Sequence, residues 1–390
     1  MTEGQVKMVE VFSQDEYIRY SRQFILPQVG VEGQRKLKEA SVLIVGAGGL
    51  GSPISLYLAA AGIGRIGLVD PDRVDESNLQ RQVIYGSGMV GQPKVEAARA
   101  RLIDLNPHCQ VDVFQTTFTS ATAEEITSEF EILVDGSDNL TTRYLMNDLS
   151  VLTSRAYVFG AVQQFEGQMA LFDARIGPCY RCIFGDPPPP EHFPIPGDSG
   201  VIGVLPGLVG MLQAAETLKF ILGIGETLAG KLVLINSLSA EIEHIEVQKD
   251  SNCPVCGDHP EIEALLDYEQ HCGASHNNEP LNLPEACEIT PSELAGRLNQ
   301  DNKITLLDLR TTMELEVSHI PGAVHLPYHQ LREKISELDQ EANYVLFCRA
   351  GKTSVWALKQ LHKAGFNKVR YLMGGINAWA EEIDFSMKQY

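Results

Sequence analysis

Three short stretches of this 390-residue chain have residue types and spacings suited to chemistry. Gly46-Ala47-Gly48-Gly49-Leu50-Gly51 is a G-x-G-x-x-G turn between an apolar run and a helical pattern. Glycines let a backbone approach phosphate oxygens, and the N-terminus of the following helix favours their charge. Cys179-Tyr180-Arg181-Cys182 and Cys253-Pro254-Val255-Cys256 form two C-x-x-C pairs. Four thiolates suit a closed tetrahedral Zn²⁺ site, which leaves no coordination position for a substrate. Gly257 fits the tight turn after the second pair. Cys348-Arg349-Ala350-Gly351-Lys352-Thr353-Ser354 follows an apolar run and precedes a helical pattern. Inward backbone N–H groups and a helix N-terminus stabilise a sulfur anion, and Arg349 and Lys352 add positive charge. Gly351-Lys352-Thr353 is not the end of a P-loop, because Leu346 stands where that pattern needs glycine.

The elements that must hold these residues alternate between strand and helix. The pattern predicts a helix over Ser13 to Gln23 capped by Ser13, and a strand over Ser41–Val45. A helix over Leu50–Ala61 follows, then a strand over Ile66–Val69 that ends at Asp70. A helix over Gln92–Leu105, a strand over Val111–Phe114 and an apolar run Ile132–Val134 ending at Asp135 come next. This order implies an α/β fold: a Rossmann-like, mostly parallel sheet with helices on both faces. Val201–Leu222 is long and apolar but carries Gln213, Glu216 and Lys219, so it is expected as a core helix. Asp186–Pro196 is proline-rich and expected to be extended. Seven acids fall between Glu261 and Glu288, and no Lys or Arg occurs from Asp250 to Gly296. That shift marks an acidic linker over 261–288 between a first domain, 1–260, and a smaller α/β domain, 289–390.

Read alone, the glycine turn with Asp70 after it suits a nicotinamide oxidoreductase as well as any other nucleotide enzyme. The residues that follow are more specific. They are Tyr20-Ser21-Arg22-Gln23, Asp70-Pro71-Asp72, Ser77-Asn78-Leu79-Gln80-Arg81, Gly91-Gln92-Pro93-Lys94 and Asp135-Gly136-Ser137-Asp138-Asn139. In this order they resemble the ubiquitin-activating-like enzymes, and within these the molybdopterin-synthase and thiamine-carrier adenylyltransferases. Leu306 to Arg310, His319 to Ala323, the Cys348 loop and Leu372 to Trp379 resemble the rhodanese domain fused to such enzymes.

The resemblance implies an ATP site made by Gly46, Gly48, Gly49, Gly51, Asp70, Ser77, Asn78, Leu79, Gln80, Arg81, Lys94, Asp138 and Asn139. Arg81 and Lys94 would neutralise phosphate charge and Asp138 would hold Mg²⁺. Arg22 would reach the phosphates of a neighbouring subunit, which implies a homodimer. Cys179, Cys182, Cys253 and Cys256 would hold a structural Zn²⁺, and Cys348 would carry the persulfide. The implied function is adenylation of the C-terminal glycine carboxylate of a small ubiquitin-like sulfur-carrier protein, followed by sulfur transfer that gives a thiocarboxylate. The sulfur would come from thiosulfate or a cysteine desulfurase persulfide. The chain departs from the family twice: Thr353 replaces a common arginine, and Pro196 stands where relatives carry a crossover-loop cysteine. Attack by the Cys348 persulfide directly on the acyl-adenylate is therefore expected, without a thioester on that loop.

Bulk properties agree with this and narrow the rivals. A net charge of -20 disfavours binding nucleic acid through its phosphates. Met1 to Ser13 has no apolar signal core, so a cytoplasmic protein is expected. Cys109, Cys272 and Cys287 have no assigned chemistry. One alternative keeps adenylation and leaves the rhodanese-like domain a binding or regulatory role. Others are the oxidoreductase and a carrier-binding scaffold, although a scaffold has no need of Arg22, Arg81, Lys94 and Asp138.

Overall fold

The computed structural model describes residues 11–187, 200–268, 287–299 and 303–388, with Lys352 described by its backbone only. The chain divides into two compact units, Met1–Asn277 and Asn278–Tyr390. The proline-rich stretch from residue 188, Pro196 with it, most of the acidic linker and Cys272 lie outside the described residues.

The first unit is built on an eight-stranded sheet. Its strands are β1 (Ser41–Val45), β2 (Arg65–Val69), β3 (Gln110–Phe114), β4 (Ile132–Asp135), β5 (Ala156–Gln163), β6 (Glu166–Phe172), β7 (Lys231–Asn236) and β8 (Glu241–Glu246). The spatial order is β3-β2-β1-β4-β5-β6-β7-β8. From β3 to β5 every pairing is parallel; β6, β7 and β8 are antiparallel additions. β1 is flanked by β2 and β4, so the crevice at its C-terminal end is a topological switch point, where α/β sheets bind ligands. Val42, Leu43 and Ile44 are wholly buried, as a central parallel strand covered on both faces requires.

Helix Gly51–Ala61 and helix Val204–Leu222 pack against one another on one face of this sheet. Helix Leu140–Leu152 packs beneath β4 and β5, with Tyr144, Leu145 and Leu149 in a second core cluster. The expected core helix near Val201–Leu222 is thus Val204–Leu222, with Leu205 and Val209 fully buried. By length and hydropathy it is the one described helix that could cross a membrane, yet its Gln213, Glu216 and Thr217 are buried among protein neighbours.

The structure corrects the N-terminal helix. Two helices, Gln14–Arg19 and Ser21–Phe24, replace the single one expected over Ser13 to Gln23. Ser13 does cap the first, in a reciprocal capping box with Glu16. The break falls at Tyr20, whose hydroxyl accepts a 2.8 Å hydrogen bond from buried Asn106. Burying that ring and satisfying its hydroxyl outweighs continuing a short helix.

The second unit is a five-stranded parallel sheet in the order β11-β10-β12-β13-β9, with β9 (Glu288–Ile289), β10 (Ile304–Asp308), β11 (Val324–His325), β12 (Asn343–Phe347) and β13 (Val369–Leu372). Leu346 and Phe347 on the central β12 are fully buried. Helix Lys352–Lys363 packs on β12 and β13, and helix Gly375–Glu382 packs on the sheet through its buried Ile376 and Trp379.

Candidate functional sites

The glycine turn closes by backbone contact that side chains would prevent. Gly46 has φ +99°, a conformation glycine alone adopts without strain. A Cβ there would lie 2.5 Å from the carbonyl oxygen of Gly136, and one on Gly51 would collide with the carbonyl of Gly46. Asp70 holds the turn: its carboxylate accepts hydrogen bonds from the backbone N–H of Ala47 at 2.8 Å and of Asp72 at 2.9 Å. Burial pushes the Asp70 carboxyl up while Lys94 opposes that shift. Tyr85, which the sequence reading did not single out, donates its hydroxyl to the Ala47 carbonyl at 2.8 Å. Burial, with the Asp70 charge nearby, raises the Tyr85 pKa and keeps that hydroxyl a donor.

Around this turn the structure gathers part of the expected set. Lys94 is buried at the start of helix Lys94–Leu105, with Nζ 2.9 Å from Asp72 and 3.9 Å from Asp70. Arg81 lies over the turn; a Cβ on Gly49 would sit 3.6 Å from its Cγ. Its Nη1 donates to the Ser77 carbonyl at 3.1 Å. Ser77 and Asn78 form a 3-10 turn capped by Asp75, with the Ser77 hydroxyl donating to that carboxylate at 2.6 Å. Leu79 packs against the first core, and the backbone carbonyl of Gln80 lies against Gly203. On the β4 side, Asn139 caps helix Leu140–Leu152 through Thr142 N–H at 2.8 Å, and Asp138 just before it is exposed. Gly48 packs near buried Gln82, whose Oε1 has no partner among the described residues. Arg22 is exposed on helix Ser21–Phe24.

The four cysteines of the C-x-x-C pairs converge. Their sulfurs all lie within 4.8 Å of one another. The closest pairs are Cys182–Cys256 at 3.4 Å, Cys179–Cys253 at 3.5 Å and Cys179–Cys182 at 3.9 Å. Sulfurs bound tetrahedrally to one ion at about 2.3 Å would be about 3.8 Å apart, so the donor set fits a metal. Hydrogen bonding among the thiols holds Cys182 far below the usual thiol range and raises Cys179 far above it. Four crowded sulfurs cannot all ionise without a cation to share. Gly257 turns the chain here, since a Cβ would lie 2.6 Å from the carbonyls of Ser251 and Cys253.

In the second unit Cys348 sits at the C-terminal end of β12, buried, and Gly351 N–H donates to its Sγ at 3.2 Å. Gly351, at φ +93°, caps helix Lys352–Lys363, so the sulfur faces a helix N-terminus. The loop is locked from outside: Ile376 N–H donates to the Cys348 carbonyl at 2.9 Å and Asn377 N–H to the Arg349 carbonyl at 3.2 Å. A side chain on Gly375 would collide with that Cys348 carbonyl. Arg349, next to Cys348 in sequence, is exposed, Thr353 is buried, and the Lys352 side chain lies outside the described residues. A buried Arg310–Asp308 pair at 2.6 Å, with Arg310 also donating to the Ser318 carbonyl at 2.9 Å, anchors the end of β10. Cys109 and Cys287 are buried in the two cores, and burial pushes Cys109 up to about 12, which makes it a poor nucleophile.

Residues 20–255 match the ThiF family, and residues 290–382 match the rhodanese-like domain. The chain belongs to the ThiF family and carries a C-terminal rhodanese domain. It is 40% identical over 99% of its length to a Mycobacterium tuberculosis protein named probable adenylyltransferase/sulfurtransferase MoeZ, covering 98% of that protein. It is 39% identical over 97% of its length to adenylyltransferase and sulfurtransferase MOCS3 of Culex quinquefasciatus, covering 91% of that protein. Among solved structures it resembles E. coli MccB, with a TM-score of 0.57 and 26% identity over 64% of this chain and 74% of that one. MccB has also been solved with ATP. The chain is an enzyme of the adenylyltransferase and sulfurtransferase kind, with the adenylation fold first and the sulfurtransferase fold second. The oxidoreductase and scaffold alternatives fall, because likeness to these enzymes runs through both units.

Proposed function

We propose that this enzyme adenylates the C-terminal glycine carboxylate of a small ubiquitin-like sulfur-carrier protein and then replaces one carboxylate oxygen with sulfur from Cys348. The division of labour follows the units: adenylation by residues 1–260, a linker over 261–288 and sulfur transfer by 289–390. The observation that carries this reading is the pairing, in one chain, of a glycine phosphate turn with a loop that presents Cys348 to a helix N-terminus.

A carboxylate is a poor acyl electrophile until one oxygen is made into a leaving group. In the first step a carrier carboxylate oxygen attacks the ATP α-phosphorus and pyrophosphate departs, giving a carrier acyl-AMP. Gly46, Gly48, Gly49 and Gly51 offer backbone to the phosphates, while Arg81 and Lys94 compensate their growing charge. Lys94 exchanges its contact with exposed Asp72 for phosphate. Asp70, Ser77, Asn78, Leu79, Gln80 and Asn139 line the nucleotide, and Asp138 would hold Mg²⁺, which supplies further positive charge to the leaving pyrophosphate. Arg22, exposed on a short helix, suits a role across a homodimer.

In the second step the terminal sulfur of the Cys348 persulfide attacks the acyl carbon and AMP leaves, giving an acyl disulfide. A thiol then attacks the Cys348 sulfur, so the S–S bond breaks and the carrier leaves as a thiocarboxylate. A further thiol reduces the mixed disulfide that remains on Cys348. Gly351 N–H and the helix N-terminus stabilise the sulfur anion of the Cys348 thiolate and persulfide. Pro196 in the sequence leaves no thiol for a thioester on its loop. Zn²⁺ on Cys179, Cys182, Cys253 and Cys256 would be structural. Thiosulfate or a desulfurase persulfide would refill Cys348, and the setting is cytoplasmic, with no direct role for nucleic acid. The test is exchange of labelled pyrophosphate into ATP. Exchange that appears only with a diglycine-tailed carrier supports the reading; none with any such carrier refutes it.

A further inference from the structure

Between two of the four converging cysteines stands a residue that the adenylation and sulfur-transfer chemistry leaves unused. Arg181 is 3% exposed. Its Nε donates to Asp148 at 2.9 Å and its Nη2 to the other oxygen of the same carboxylate at 3.2 Å. Asp148 is fully buried on helix Leu140–Leu152, whose N-cap is Asn139 of the expected nucleotide site. Next to Asp148, Asn147 accepts the Tyr180 N–H at 2.8 Å, so the cysteine turn is tied to that helix twice. Two further contacts lead outward. Arg181 Nη1 donates to Asp186 at 2.9 Å, just ahead of the proline-rich segment. Arg181 Nη2 also donates to the Tyr268 hydroxyl, which in turn donates to Asp148.

Tyr268 is the last described residue of the first unit before the stretch that leads to the second. Its hydroxyl fixes the position of a ring that is 3% exposed, 5.9 Å from the Tyr144 ring and 5.6 Å from the Arg181 guanidinium. Such closure is more than cysteine packing requires. A buried arginine is costly to hold unless every donor is used, and here its donors reach the bases of both outgoing segments.

We propose that Arg181 is a positioning residue that fixes where the chain leaves for the rhodanese domain, so the cysteine cluster governs sulfur transfer and not adenylation. This rests on the two-step reading above. When two reacting domains share one chain, the point at which the connecting segment is clamped sets the effective concentration of one at the other. Releasing Tyr268 moves that point back toward Leu265 and Leu266, which are only partly buried against the second core. Adenylation is untouched, because its expected residues lie on other segments or, for Asn139, at the opposite end of helix Leu140–Leu152 from Asp148.

The experiment uses the full chain with a diglycine-tailed carrier, ATP and thiosulfate. Tyr268→Phe removes only the hydroxyl, Asp186→Asn weakens the other arm, and Arg181→Lys keeps the charge but loses the fork. For each, carrier-dependent pyrophosphate exchange, the rate of thiocarboxylate formation and bound zinc are measured. We expect exchange and zinc within about twofold of wild type and thiocarboxylate formation about fivefold slower in Tyr268→Phe. The carrier KM for exchange stays unchanged. Unaltered thiocarboxylate formation in Tyr268→Phe overturns the inference, and so does a parallel fall of exchange and sulfur transfer. Failure of the wild-type chain to exchange pyrophosphate would instead strike the functional reading beneath it.

Discussion

The two units answer the same electrostatic problem with different materials. In each, a buried parallel strand ends at a turn that opens onto a helix N-terminus: β1 through a glycine-rich turn into helix Gly51–Ala61, and β12 through a turn with the single glycine Gly351 into helix Lys352–Lys363. In the proposed reaction the first site must balance several phosphate charges that move as the bond breaks. It would draw on Arg81 and Lys94 from separate segments, with Asp70 holding the glycine turn. The second would hold one sulfur anion. It needs one contiguous loop whose Gly351 N–H points at Cys348, locked by Ile376 and Asn377 from the neighbouring helix. Large shifting charge calls for dispersed cations; a single fixed charge is met by backbone.

That contrast can be broken by substitution. The largest effect belongs to Cys348→Ala, which should abolish thiocarboxylate formation while leaving pyrophosphate exchange within about twofold, because each unit does its own step. Mass spectrometry of the carrier beside an exchange assay reads both. Next, Lys94→Ala should lower exchange by about 10²–10³-fold, the usual cost of removing one charge-stabilising donor. Persulfide loading of Cys348 from thiosulfate should not change, and parallel losses would refute the division. Cys253→Ser should abolish metal binding by the four-cysteine cluster proposed to hold Zn²⁺ and lower the melting transition of the first unit. The transition of the second unit should stay where it is, as calorimetry can resolve. The smallest effect is expected of Thr353→Arg, a few-fold shift in the relative rates with thiosulfate and a protein persulfide. A nucleophile held by backbone should survive it.

The same contrast explains what the sequence disclosed. Short motifs were legible: the Gly46–Gly51 turn and the Cys348 loop each carry their chemistry in a few adjacent letters, and each C-x-x-C pair does so although the two pairs lie 74 positions apart. The parallel strands β1 to β4 were readable because burial on both faces writes an apolar run. The antiparallel half of the first sheet was not resolved into strands. β8 is exposed at all six positions, so burial left no mark on it. The Tyr20 break depended on Asn106, 86 positions away, and Tyr85 on the Ala47 carbonyl, 38 away. The Arg181 node joins residues 120 positions apart through Tyr268 and Asp148. No local pattern reports such contacts; only the folded chain brings them together.

The central claim is that one chain makes a carboxyl reactive and then delivers sulfur to it. The most direct measurement loads Cys348 with isotope-labelled persulfide, removes excess donor, and adds a diglycine-tailed carrier with or without ATP. The account predicts label on the carrier's C-terminus only when ATP is present. Label that stays on Cys348 with ATP, or reaches the carrier without it, would contradict the account.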